Sequence, residues 1–234
     1  MELAEEHDLL IHTHLAETKD EVQNSLATWK KTPVEHLESL GVFEVPVLAA
    51  HCVHVTERDI HVLAEHDVRV VHNPTSNLKL GSGFAPIQKL LRTGITVAIG
   101  TDGASSNNNL DLLEEIRLAA FAQKGILGEA TALPALEALK LGTEHGARAL
   151  GWEELGTIDV GKRADLVILD IDCPHWVPNY DPVSNLVYSA QAADVKTVLI
   201  DGRIVMEDRV IQTFDEEEAK AHVRRFQERH SRRR

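Results

Sequence analysis

Residues 9–18 read LLIHTHLAET. A three-residue apolar run leads into His12, Thr13 and His14, and an amphipathic stretch over residues 19–31 follows. That order repeats three times downstream. The apolar stretch 45–53 carries His51 near its end, residues 68–71 run into His72, and residues 95–99 lead to Asp102. Helical segments lie between. One opens at Thr32-Pro33 with Glu35 at the capping-box position and stops at Gly41. Another is capped by Thr56 and runs toward His66, and a short one over 86–92 stops at Gly94. Further helices are expected over about 110–124 and 132–150. Strands alternating with helices through short links predict parallel strands joined by right-handed crossovers. In such folds, above all (β/α)8 barrels, chemistry gathers at the C-terminal strand ends. His14, His51, His72 and Asp102 all stand there. Three imidazoles and a carboxylate on one rim suit a divalent metal, zinc, iron or nickel, with zinc the commonest choice for hydrolysis.

Composition narrows the classes. The chain has 234 residues, 43% of them apolar, enough for one or two domains with a core. No run approaches the ~18 apolar residues of a membrane helix, and no leader pattern points to secretion. Two cysteines, Cys52 and Cys173, fit a reducing cytoplasm better than a disulfide framework. With 37 acidic against 24 basic residues the net charge is −13, which disfavours nucleic acid and anionic membranes as partners. A doubly wound nucleotide-binding fold finds little support, since Gly81-Ser82-Gly83 precedes a helix but lacks the rest of a phosphate-binding motif.

After Gly151 the texture changes. Residues 165–170 (DLVILD), 195–200 (VKTVLI) and 204–206 read as short strands, with Asp201-Gly202 as a hairpin turn. We expect domain 1–150, a β-rich unit over 151–213, and a charged helical tail over 214–234. The tail ends in Arg232-Arg233-Arg234, a basic end that favours the helix dipole.

The segments HTHLAET (12–18), HCVH (51–54), HNPTSNLKL (72–80) and GTDGASSNN (100–108) together resemble the amidohydrolase superfamily, most closely its methylthioadenosine/S-adenosylhomocysteine deaminases. GKRADLVILD (161–170) and VKTVLIDGRIVMED (195–208) are similar to that family's accessory β-sandwich. The resemblance implies an α/β fold: the C-terminal half of a metal-dependent (β/α)8 barrel, strands five to eight, plus part of the sandwich. It implies His14 and Asp102 as metal ligands, with Zn2+ or Fe2+ bound. Glu17 would hold the ring nitrogen and shuttle a proton, His51 would orient the water or the tetrahedral oxygen, and Asp102 would also accept the proton of the attacking water. His72, Asn73 and Ser76 would line the substrate pocket, with Asn107 and Asn108 shaping the loop after Asp102. The implied substrates are a purine nucleoside and water, and the implied complete enzyme is a homo-oligomer.

His12-x-His14 also matches the family's first-strand metal pair, but the following Leu15-Ala16-Glu17-Thr18 places it on the fifth strand. His7, His36, His54, His61, His66, His145, His175, His222 and His230 read as surface or packing residues. Four βα units are half a barrel, so Met1 reads as an internal methionine or a misplaced start. The isolated chain is expected to offer at most two metal ligands, to bind metal weakly and to turn over no substrate. Other readings are another amidohydrolase (guanine or cytosine deaminase, or a triazine-type chlorohydrolase) and a half-barrel that acts only as an assembly partner.

Overall fold

A computed structural model describes residues 2–231, so Met1 and the Arg232–Arg234 cluster lie outside the described residues. The chain forms two units. The first runs to Thr157 and regains Pro178–Ala190. Its elements are α1 (Glu2–His7), β1 (Ile11–Leu15), α2 (Lys19–Trp29), α3 (Pro33–Ser39), β2 (Val47–His51), α4 (Glu57–Glu65), β3 (Arg69–His72), α5 (Pro74–Lys79), α6 (Ile87–Arg92), β4 (Val97–Ile99), α7 (Ala104–Asn107), α8 (Leu112–Leu127), α9 (Ala135–Leu141) and α10 (Glu144–Leu150). A further helix, α11 (Pro182–Tyr188), completes it.

The four strands form one parallel sheet in chain order, with Leu15 opposite His51 and His72 opposite Ile99. All four strand ends therefore lie on one rim. Caps set the helix starts. Thr32 and Glu35 make the expected capping box with Pro33 in the first turn, and Thr56 makes another with Asp59. These bonds satisfy helix N–H groups that have no partner within the helix.

The two faces of the sheet are covered unequally. Leu15, Val47, Ala49, Val70, Val97 and Ile99 join Ile60, Leu63, Ile87, Leu90, Ile116 and Leu141 in the main core. Each fully buried Leu or Ile contributes about 1.5–3 kcal/mol. The other face carries a small cluster, Leu48, Ala98 and Ala149, with Leu10 and Val71 against it. This inner face is the one a closed barrel fills with further layers of side chains.

The second unit, Ile158–Val177 with the chain from Gln191 onward, holds β5 (Leu166–Leu169), β6 (Val195–Ile200), β7 (Arg203–Glu207), β8 (Val210–Ile211) and α12 (Glu216–Ser231). Its strands form an antiparallel meander in chain order. Asp201 and Gly202, both at positive φ, make the tight turn between β6 and β7. Asp194 is the polar anchor of this unit. It accepts hydrogen bonds from His175 Nε2 (2.8 Å), Trp176 Nε1 (3.0 Å) and Gln191 N (2.9 Å).

Several boundaries differ from expectation. The helix expected over 132–150 is two helices, α9 and α10, separated at Gly142-Thr143. Gly142 faces α8 so closely that a Cβ there would stand 2.5 Å from Ile116 Cδ1. The break between units falls at Thr157 rather than 150, and α11 leaves the expected β-rich stretch to pack on α8 and α9. Arg117 fastens it, donating from Nε to Val187 O (3.0 Å) and from Nη2 to Ala190 O. Among the described residues no helix is long and apolar enough to cross a membrane.

Candidate active site

The rim is built from turns that the backbone makes at unusual angles. After β1 the chain bends at Ala16 (φ +50°). The Glu21 carboxylate, in the first turn of α2, accepts from both Ala16 N and Glu17 N at 2.7 Å. This bidentate clamp fixes the turn that carries Glu17.

At the end of β2, His51 has φ +74° and Cys52 φ +47°. Regular alternation would point residue 51 to the same side as Val47 and Ala49. The left-handed backbone ends that alternation, and the His51 ring stacks on His14 with centroids 5.3 Å apart. Positive φ at a bulky residue costs energy and concentrates at functional sites. His51 is buried. Its Nδ1 pairs with Asn77 Oδ1 at 2.7 Å, and its Nε2 lies 3.7 Å from Glu17 Oε2. Glu17 Oε1 in turn accepts from Ser82 Oγ at 3.4 Å.

Past β4, Gly100 leaves room for its neighbours: a Cβ there would stand 2.6 Å from Asn73 Oδ1 and 2.8 Å from Val71 Cγ2. Asp102 follows with φ +61°. Its Oδ2 accepts from Ser76 Oγ (2.6 Å) and Ser106 Oγ (2.8 Å), and its Oδ1 from Gly103 N (2.7 Å). Burial pushes this carboxyl upward, but the three hydrogen bonds outweigh it and hold the pKa below the ordinary value. Asp102 is thus an ionised acceptor at neutral pH.

His72 ends β3 in a different setting. It is fully buried, and neither ring nitrogen has a hydrogen-bond partner. Burial, with a smaller push from His51, lowers its pKa to about 3, so the ring is neutral.

The structure therefore brings together His14 with His51, His51 with Glu17, and Ser76 with Asp102. Asn73 is buried against Gly100, while Asn107 is buried and bonded to Glu115, and Asn108 accepts from Lys79 Nζ. His54 is half-buried and holds the neighbouring loop through Ser82 O at 2.7 Å. The sequence reading missed Asn77, Ser82, Ser106, Glu21 and Glu115. Ser106, one turn after Asp102, and Glu21, which completes a Thr18-x-x-Glu21 helix-start pattern, had local signals.

His14 is an exposed imidazole and Asp102 an ionised carboxylate, donor types that suit zinc. Among the described residues no group of three or more His, Cys, Asp or Glu side chains is gathered to hold a metal ion. These residues do not by themselves make a metal site.

This half-barrel with a polar rim defines the class. The chain belongs to the amidohydrolase family, whose model matches residues 1–205. It is 54% identical over 218 residues to a 5-methylthioadenosine/S-adenosylhomocysteine deaminase of Caldanaerobacter subterraneus subsp. tengcongensis, covering 93% of this chain and 50% of that protein. Among solved structures, a zinc-bound adenosine deaminase from Xanthomonas campestris matches at 40% identity with a TM-score of 0.94, over 97% of this chain and 52% of that one. The zinc complex of atrazine chlorohydrolase TrzN from Arthrobacter aurescens matches at 30% identity and TM-score 0.88, over 94% and 49%. The chain spans about half the length of the curated relatives it matches.

Proposed function

We propose that this chain is the C-terminal portion of a hydrolytic deaminase acting on adenine-type nucleosides of the methylthioadenosine/S-adenosylhomocysteine class. One observation carries the reading: the Glu17 carboxylate lies 3.7 Å from His51 Nε2, on the rim that also bears the ionised Asp102. That is an acid–base set. Cys52 is no nucleophile, because burial pushes its thiol pKa well up.

Glu17 holds and protonates the ring nitrogen, which makes the neighbouring carbon electrophilic. Asp102 takes one proton of the attacking water and passes it to the amino group, which leaves as ammonia; His51 orients that water's oxygen, and Glu17 regains its proton from the new hydroxyl. His14 and Asp102 contribute two donors for a divalent metal, zinc in preference to Fe2+, and ligands outside this chain complete the set. Such a metal makes water acidic enough to act near neutral pH. Asn73 and Ser76, at the start of α5 after β3, and His72, at the end of β3, line the substrate pocket. The strands of the second unit are part of the accessory β-sandwich. The cytoplasm is the compartment proposed, on the two unpaired thiols, and the complete enzyme is read as a homo-oligomer.

The test is ammonia release by the intact protein from 5-methylthioadenosine, S-adenosylhomocysteine, adenosine, guanine and an aminotriazine. The nucleosides are expected to be fastest, and Glu17→Gln to lower kcat about 10²–10⁴-fold. Guanine or the triazine as best substrate, or an unimpaired Glu17→Gln enzyme, would overturn the assignment.

A further inference from the structure

Glu115 lies on α8, outside the strand-end segments that carry the rim, and is wholly buried. A leucine would suit such a helix position better, since a buried carboxylate is costly unless its oxygens are satisfied. They are. Oε2 accepts from Thr75 N at 3.0 Å and Oε1 from Asn107 Nδ2 at 2.6 Å. Asn107 Oδ1 then accepts from Leu110 N at 2.8 Å.

The two donors come from different strand-end segments. Thr75 is in the first turn of α5, after β3, and Asn107 is the last residue of α7, after β4. Their immediate neighbours are Ser76 and Ser106, the two residues whose hydroxyls converge on Asp102 Oδ2. The contacts close into a ring: Glu115, Thr75, Ser76, Asp102, Ser106, Asn107 and back to Glu115.

We propose that Glu115 is a positioning residue whose carboxylate ties the segment after β3 to the segment after β4 and thereby holds the Ser76 and Ser106 hydroxyls on Asp102. Its catalytic consequence rests on the deaminase reading; the positioning itself does not.

The hydrogen bonds have a polarity that can be reversed. Glu115→Gln keeps the shape and an acceptor for Thr75 N but sets one amide NH2 against another at Asn107. Asn107→Asp sets two carboxylates face to face. In the double variant the introduced amide donates to the introduced carboxylate, whose second oxygen still accepts from Leu110 N. Hydrogen exchange on the intact protein reads the outcome. Each single variant is expected to speed exchange over residues 74–77 and 103–108 about tenfold, the worth of roughly one buried hydrogen bond. The double variant should return it to within about twofold, with β2 unaffected throughout. In turnover, kcat should fall about tenfold in the single variants with KM within about twofold, and recover in the double, since small misplacements at a reacting centre act on kcat. Unchanged exchange in those segments, faster exchange along the whole chain, or a double variant no better than the singles would each overturn the proposal. An intact protein that deaminates no nucleoside would sink the functional reading while leaving exchange to decide the role of Glu115.

Discussion

Replacing His72 with leucine should flatten the acid sensitivity of the fold. His72 is 3% exposed and neither ring nitrogen has a partner. Burial holds its pKa at about 3 instead of 6.5. Between those values the unfolded chain binds a proton that the folded chain refuses. The contribution is fully present above about pH 6.5 and is lost as the pH falls toward about 3, since stability rises with pH wherever the unfolded state binds more protons. Each pH unit below about 6.5 costs about 1.4 kcal/mol. Going from about pH 7 to about pH 5 therefore removes ~2 kcal/mol through this residue alone. Leucine has a similar volume, does not titrate and leaves no orphan nitrogen, so His72→Leu should be neutral or stabilising at pH 7. Urea unfolding at both pH values measures the difference. With a slope of about 2 kcal/mol per molar, the wild-type midpoint should drop ~1 M more than that of the variant. A variant midpoint that falls with acid as steeply as the wild type's would refute the reasoning, because it would mean that the folded state already accommodates the proton.

Other outcomes follow from single contacts. Asp194→Asn removes the charged acceptor of three hydrogen bonds and should cost about 2 kcal/mol, with a red shift of the fluorescence of the buried Trp176. Burial alone raises the Asp194 pKa, but the bonds from His175, Gln191 and Trp176 bring it below the usual value, so its stabilisation is present above about pH 4 and lost in stronger acid. Gly100→Ala forces a Cβ into Asn73 Oδ1 and Val71 Cγ2 and should cost about 1–3 kcal/mol, whereas Gly142→Ala meets only the flexible end of Ile116 and should cost less. Calorimetric titration should find zinc binding to the 234-residue chain far weaker than to the intact protein; equal affinity would mean that the chain gathers a full ligand set alone.

The first unit was largely legible. Runs of β-branched and apolar residues gave β1 to β4, and Thr32, Glu35 and Thr56 marked helix starts that the capping bonds account for. α11 was not legible despite Asp181 as its cap and Pro182 in its first turn, because its seven residues stand inside a stretch whose short strands set the pattern. β8 has two residues and no pattern at all. Polar residues at strand ends singled out His14, His51, His72 and Asp102 as candidates, and the resemblance added Glu17. Asn77 stands 26 residues from the His51 it supports, and Glu115 stands 40 from Thr75, separations that no local spacing encodes. His72 shows the reverse limit. A histidine closing a strand reads alike whether its ring meets solvent, substrate or an apolar wall.

The return of residues 178–190 to the first unit has a consequence for synthesis. The half-barrel is not finished when Thr157 leaves the ribosome. α8 and α9 wait for α11, which completes the unit 33 residues later, at Ala190. At about 5–20 residues per second that is a delay of roughly 2–7 s, during which an apolar helical surface is open to chaperones and to other nascent chains. A protease that cuts within Ile158–Val177 would likewise leave α11 held to the first unit by non-covalent contacts, the Arg117 hydrogen bonds and the packing on α8 and α9 among them.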